Sequence, residues 1–211
     1  MKLVAAALAL PEATVTSYYR VIRDAGVIAK GGRGRSAPHL SALDTSRLVI
    51  TLMSAEALSE APEITRLIGN TECQYLEGMD PDDDPEHPTT GTLESIRFED
   101  ALAQLIAFRA PSSQSVGSPV LGDLGSDALF VRVTATRLTA EIEIDGSTVE
   151  FQHGYDEYVV TDPNDWARLS IRERLERRPV LEGMKVTRQI DHLAIKKIAS
   201  GLPAQKAEEI E

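Results

Sequence analysis

The chain has a single cysteine, Cys73, in 211 residues. One thiol cannot close an intrachain disulfide, so the fold is not a disulfide scaffold and suits a reducing compartment. Aromatic residues make up only 5% of the chain, which points to an aliphatic core. No apolar run approaches the roughly 20 residues that a membrane-spanning helix needs. The apolar stretch Leu3–Leu10 has only Lys2 ahead of it and no small-residue cleavage site behind it, so it does not read as an export signal. A cytoplasmic protein without a membrane segment is the expectation. No internal repeat is present.

Signatures of catalysis and of metal binding are also missing. His39, His87, His153, His192 and Cys73 show no metal-ligand spacing. The run Lys30-Gly31-Gly32-Arg33-Gly34 is glycine-rich but lacks the phosphate-loop order that ends in Gly-Lys-Ser/Thr. Ser112, Ser113 and Ser115 lie outside any strand–Gly-x-Ser-x-Gly context. Asp80, Asp82, Asp84 and Glu86 alternate as calcium ligands do, but the glycine and the bidentate glutamate of an EF-hand are absent, so a solvated linker is the simpler reading. Asp123, Asp127, Glu141, Glu143 and Asp145 are conceivable as a nuclease cluster. Glu141 and Glu143 share a strand face, as ordinary solvent-facing carboxylates also do. No enzyme activity, metal or cofactor is expected.

What the chain does have is a normal globular composition and an uneven charge. Hydrophobic residues make up 42% and charged residues 26%, enough for one large domain or two small ones. The net charge is −11. Residues 1–50 carry seven basic side chains (Lys2, Arg20, Arg23, Lys30, Arg33, Arg35, Arg47) against three acidic ones (Glu12, Asp24, Asp44), a surplus of 4 that leaves −15 on the remainder. A basic head on an acidic body is expected where one end meets a polyanion.

Periodicity gives the elements. Leu3–Ala9 reads as a short buried helix, broken at Leu10-Pro11. A second helix runs from about Ala13 to Ala25, with Thr14 and Thr16 as candidate caps, Val15, Tyr19 and Ile22 as its apolar stripe, and Gly26 at a left-handed C-cap. One or both of Tyr18 and Tyr19 should be core. Residues 30–36 form a flexible basic loop. Leu43–Glu60 is helical with Asp44 or Thr45 as its cap, Pro62–Ile68 forms a further helix, and residues 70–91 form an acidic, proline-rich linker. The domain reading is therefore 1–69, a linker over 70–91, and 92–211. In the last part, Leu93–Arg109 is helical and residues 128–152 form an antiparallel meander turning at Asp145-Gly146. Trp166–Arg177 reads as a charged helix, Met184–Ile190 as a fourth strand, and Asp191–Leu202 as a helix capped by Asp191 and closed by Gly201.

Reading a DNA groove requires a helix that is apolar on one side and short, polar and basic on the other. The second helix has that form. Thr14, Thr16 and Ser17 are small enough to let its backbone approach base edges, and Arg20 and Arg23 lie further along the same face. The sequence Leu8-Ala9-Leu10-Pro11-Glu12-Ala13-Thr14-Val15-Thr16-Ser17-Tyr18-Tyr19-Arg20-Val21-Ile22-Arg23-Asp24-Ala25-Gly26-Val27-Ile28 resembles the core of bacterial winged helix-turn-helix regulators. In that family a short helix leads through a turn into a recognition helix ending in a pattern like L-R-x-A-G-L-I. The resemblance covers about a quarter of the chain. It implies that Arg33 and Arg35 sit in a wing, where they contact phosphate or enter the minor groove. Winged domains usually carry one more helix ahead of these two. Leu43–Glu60 is a candidate for that packing role, as is a partner subunit.

The fold class expected is thus α+β: a mostly helical winged helix-turn-helix, then an α+β domain with an antiparallel meander. The expected function is sequence-selective binding of double-stranded DNA, as a bacterial or bacteriophage transcriptional regulator. Base edges would be read by Thr14, Thr16, Ser17 and Arg20, phosphates would be held by Arg23, Lys30, Arg33 and Arg35, and Tyr18 would stack or bond to phosphate. Such regulators are commonly homodimers, because two half-sites multiply specificity. One alternative is a ring-forming DNA-packaging protein resembling phage small terminases, with residues 48–68 as oligomerisation helices. Another is a protein-interaction module whose strands at 128–152 pair edge to edge with a partner and which binds no DNA. The acidic segment 80–86 is also a candidate mimic of DNA that covers the protein's own basic face.

Overall fold

A computed structural model describes residues 1–30, 40–77, 96–110, 127–135, 138–152 and 187–202. The architecture is mixed α+β. Four helices come first: α1 (Lys2–Ala7), α2 (Glu12–Asp24), α3 (Ala42–Ser54) and α4 (Ala61–Gly69). Strand β1 (Glu72–Glu77) and helix α5 (Phe98–Phe108) follow, then β2 (Leu129–Thr134), β3 (Thr139–Ile144), β4 (Ser147–Gln152), β5 (Thr187–Asp191) and α6 (His192–Ala199). No helix among the described residues is long and apolar enough to cross a membrane.

The strands form one antiparallel sheet in the order β1-β4-β3-β2-β5. The expected meander is its centre. Its tight turn has positive φ at both Asp145 (51°) and Gly146 (84°), which matches the right-handed twist of the paired strands. Period-two patterning puts Leu129, Val131 and Val133 of β2, Ala140, Ile142 and Ile144 of β3 and Ile190 of β5 on one buried face. Helices cover that face. The central ones are α3 and α5, whose Leu48, Ile50, Leu102, Leu105 and Ile106 are fully buried. Phe98 meets Phe151 of β4 with ring centroids 5.2 Å apart and planes tilted by 53°, a favoured aromatic geometry. The buried apolar cluster is continuous from Val4 to Ala199, so the first seventy residues and the sheet share it.

Several boundaries differ from the sequence reading, each for a local reason. Residues 72–77, which the sequence places in the linker, form an outer strand, paired with β4 through a register shift between Cys73 and Tyr75. Helix α3 ends at Ser54 rather than Glu60, because Ala55 turns to extended backbone. Its cap is neither Asp44 nor Thr45 but Ser41, whose hydroxyl oxygen accepts the Asp44 N–H at 3.0 Å. Asp44 is thereby left to accept the Ala29 N–H at 3.2 Å, which ties down the chain leaving α2. Thr14 and Thr16 do not cap α2 either. The helix begins at Glu12 after Pro11, so both threonines lie inside it. Two other caps are as expected: Gly26 has φ of 74° and Asp191 accepts the Ala194 N–H at 2.9 Å, while the last helix ends at Ala199 with Ser200 as its C-cap rather than running to Leu202. The acidic segment 80–88, the helix read at 166–177 and the first residues of the strand read from Met184 lie outside the described residues.

The interaction-module alternative named the strands within 128–152 as pairing edges. The sheet order rules those strands out, because β2, β3 and β4 each have a neighbour on both sides. The two outer strands among the described residues are β1 and β5.

Candidate nucleic-acid interface

The candidate site is built from α1, the turn after it and α2. Helix α1 closes at Ala9, which has φ of 52°, with the Leu10 N–H donating to the Ala5 carbonyl at 2.9 Å. That six-to-one bond around a left-handed residue is a Schellman closure. Four residues, Leu8 to Pro11, then join α1 to α2, the turn length of a helix-turn-helix. The same closure ends α2: Gly26 adopts positive φ and the Val27 N–H donates to the Ile22 carbonyl at 2.9 Å. Glycine is favoured there because a side chain in that backbone region is strained.

Val15 and Ile22 are fully buried and anchor α2 to the core. Tyr19 is half-buried, with the Arg23 guanidinium 5.6 Å from its ring centroid. Tyr18 is half-buried as well, and its hydroxyl donates to the Ala55 carbonyl at 3.4 Å, which turns it towards α3. Helix α3 packs against α2 and α6 packs against α1, so both elements are backed by helices of the same chain.

The opposite face of α2 is open. Ser17 and Arg20 are exposed, while Thr14 and Thr16 are half-exposed. The Thr16 hydroxyl donates to the Glu12 carbonyl at 2.8 Å and that of Ser17 to the Ala13 carbonyl at 2.9 Å. Their protons are held by the helix, so each presents lone pairs outward and can accept from an exocyclic amine on a base.

The basic side chains fall into two groups. Arg23 donates to Asp24 from Nε at 3.1 Å and from Nη2 at 2.8 Å. This hydrogen bond, ahead of the Coulombic attraction of the same carboxylate, raises its pKa above the ordinary arginine value. Arg47 is withdrawn into the protein, where it holds Glu99 by Nε at 2.8 Å and Nη2 at 3.0 Å. Of the described cations in the head, Lys2, Arg20 and Lys30 are exposed and form no ion pair among the described residues. The charge count over the first fifty residues missed this distinction, because neither Glu99 nor the pairing of Arg23 is visible in it. Arg33 and Arg35 lie outside the described residues. The chain leaves for them from Lys30, just after Ala29 is pinned to Asp44, and returns at Leu40, just before Ser41 caps the same helix.

Of the carboxylates considered as a nuclease cluster, Asp123 lies outside the described residues and the other four are spread over separate contacts. Arg132 bridges the strand face, with Nη2 at 2.6 Å from Glu143 and Nη1 at 3.6 Å from Glu141. Asp127 lies 3.7 Å from His192 Nε2, and Asp145 belongs to the hairpin turn. No protein-family model, curated protein or solved structure matches this chain.

Proposed function

We propose that the chain is a sequence-selective double-stranded DNA-binding protein of the regulator type, with α1, the Leu8–Pro11 turn and α2 acting as a helix-turn-helix. The observation that carries this reading is the exposed Ser17–Arg20 face of α2, entered through a four-residue turn with a left-handed residue. In this reading α2 lies in the major groove. Thr14, Thr16 and Ser17 meet base edges with their acceptor lone pairs, and Arg20 reaches a guanine or a phosphate. Lys30, together with Arg33 and Arg35 of a wing, holds the backbone, and Arg23 joins them by exchanging Asp24 for phosphate. The protein acts as a homodimer on two half-sites and carries out no chemistry.

The test is selection of bound fragments from random duplexes by the intact chain, followed by anisotropy titration of the winning sequence at two salt concentrations. A recovered motif, with affinity falling steeply as salt rises, supports the proposal. No duplex bound at low salt overturns it. Mass in solution tests the assembly: a dimer fits the regulator, and a ring of roughly eight or more subunits would assign the DNA contact to packaging.

A further inference from the structure

A cavity of about 510 Å³ opens between the turn after α1 and the outer strand β5. Its size is that of a small-molecule site. Leu8, Leu10, Leu52 and Ile190 give it apolar walls. Arg188, Gln189 and Asp191 of β5 also line it. Two of these are already committed. The Asp191 carboxylate accepts the Ala194 N–H at 2.9 Å and sits at the positive end of α6, and the Gln189 carbonyl accepts from Arg132 Nε at 2.8 Å.

Arg188 differs from them. It pairs with Val133, which places it on the helix-covered face of the sheet beside buried Ile190. Its Nη1 donates to the Met53 carbonyl at 2.9 Å, and among the described residues this is its one hydrogen bond. A guanidinium has five N–H donors in a planar fork, so a fixed, half-buried cation keeps spare donors at the wall of an apolar cavity. The chemistry that fits is a carboxylate on the fork with a hydrocarbon body against Leu8, Leu10 and Leu52.

We propose that this cavity binds a small organic carboxylate with an apolar body, held head-first by Arg188. The site adjoins the end of α1 at Ala7 and Leu8, Ala9 and Leu10 of the turn that joins it to α2. It stands independently of the reading of α2 as a DNA-binding helix.

The test is calorimetric titration of the free full-length chain, without DNA, with benzoate, phenylacetate and octanoate, alongside benzyl alcohol and octylamine as uncharged and cationic controls. At least one carboxylate should bind about tenfold more tightly than its matched controls, and Arg188→Gln should remove that preference. Because Arg188 also holds the end of α3, a second variant leaves it in place: Ala194→Leu, which fills the cavity from α6, should abolish binding while the circular dichroism spectrum is unchanged. Absence of carboxylate binding at millimolar concentration overturns the proposal. So does equal binding of the amine, or binding that survives Ala194→Leu.

Discussion

Arg47 of α3 and Glu99 of α5, 52 residues apart, form a two-pronged ion pair at 2.8 and 3.0 Å. The remaining Arg47 nitrogen, Nη1, donates to the Val27 carbonyl just beyond α2 at 3.0 Å. The Ser46 hydroxyl donates to the Glu99 backbone carbonyl at 2.8 Å. Gly69 of α4 closes the site from the other side: a β-carbon there would lie 3.0 Å from Glu99 Oε2. The pair fixes the end of α2 against α3, α4 and α5. The Glu99 hydrogen bond, opposed by burial, keeps the Arg47 pKa raised, so this arginine stays charged at every accessible pH.

Breaking this pair on one side should therefore be costly. Glu99→Gln is expected to lose about 3 kcal/mol in urea unfolding, because it strands a partly buried guanidinium. The double variant Arg47→Met with Glu99→Leu should recover most of that loss. Gly69→Ala, which presses on the same carboxylate, should cost about 1 kcal/mol. A double variant no better than Glu99→Gln would show that the pair stabilises more than an apolar replacement does.

Ala9 offers the opposite case. With φ of 52° it occupies a backbone region that glycine enters freely. Ala9→Gly should raise stability by about 0.5 kcal/mol, and Ala9→Val should lower it by more than about 1 kcal/mol, both read as shifts in thermal midpoint. Midpoints that move the other way would mean the turn is not left-handed in solution.

The electrostatics of α2 predict an order of effects on DNA binding. Arg20→Ala should weaken binding more than Arg23→Ala, because Arg23 must first leave Asp24. Asp24→Asn and Glu12→Gln should both tighten it, since each removes a carboxylate from the helix that approaches the duplex. Anisotropy titrations at fixed salt rank the four variants, and an Arg23→Ala defect larger than that of Arg20→Ala would reverse the assignment.

Replacing Arg33 and Arg35 with alanine should reduce the slope of log affinity against log salt by about 2, about one per phosphate contact. Affinity should fall to a similar extent on every duplex. An unaltered slope would remove these arginines from the interface.

The core of α3 should be intolerant of truncation. Leu48 is fully buried, so Leu48→Ala should cost about 2–5 kcal/mol in chemical denaturation. A loss below about 1 kcal/mol would mean that the site collapses around the missing atoms.

Local signals were legible along the chain wherever a single segment contains its own physical reason. The period-two run at 138–144, the Asp145-Gly146 turn, the Gly26 closure and the Asp191 cap each act within a few residues, and each stands where the sequence put it. The open face of α2 was legible for the same reason, since burying Val15 and Ile22 turns Ser17 and Arg20 outward.

Long-range partners were not legible. The residues at 72–77 carry weak strand character among acidic neighbours and become a strand only because β4 offers them an edge. Helix ends gave even less away. The C-terminal carbonyls of the first three helices are met by cations from distant segments: Lys197 at Ala6, Arg66 at Ala25 and Arg188 at Met53. In composition these residues are indistinguishable from surface charge. A helix terminus exposes unpaired carbonyls whatever its sequence, and which cation arrives to satisfy them depends on how the chain folds back, so chain order set the elements and tertiary packing decided which charges remained free to meet a ligand.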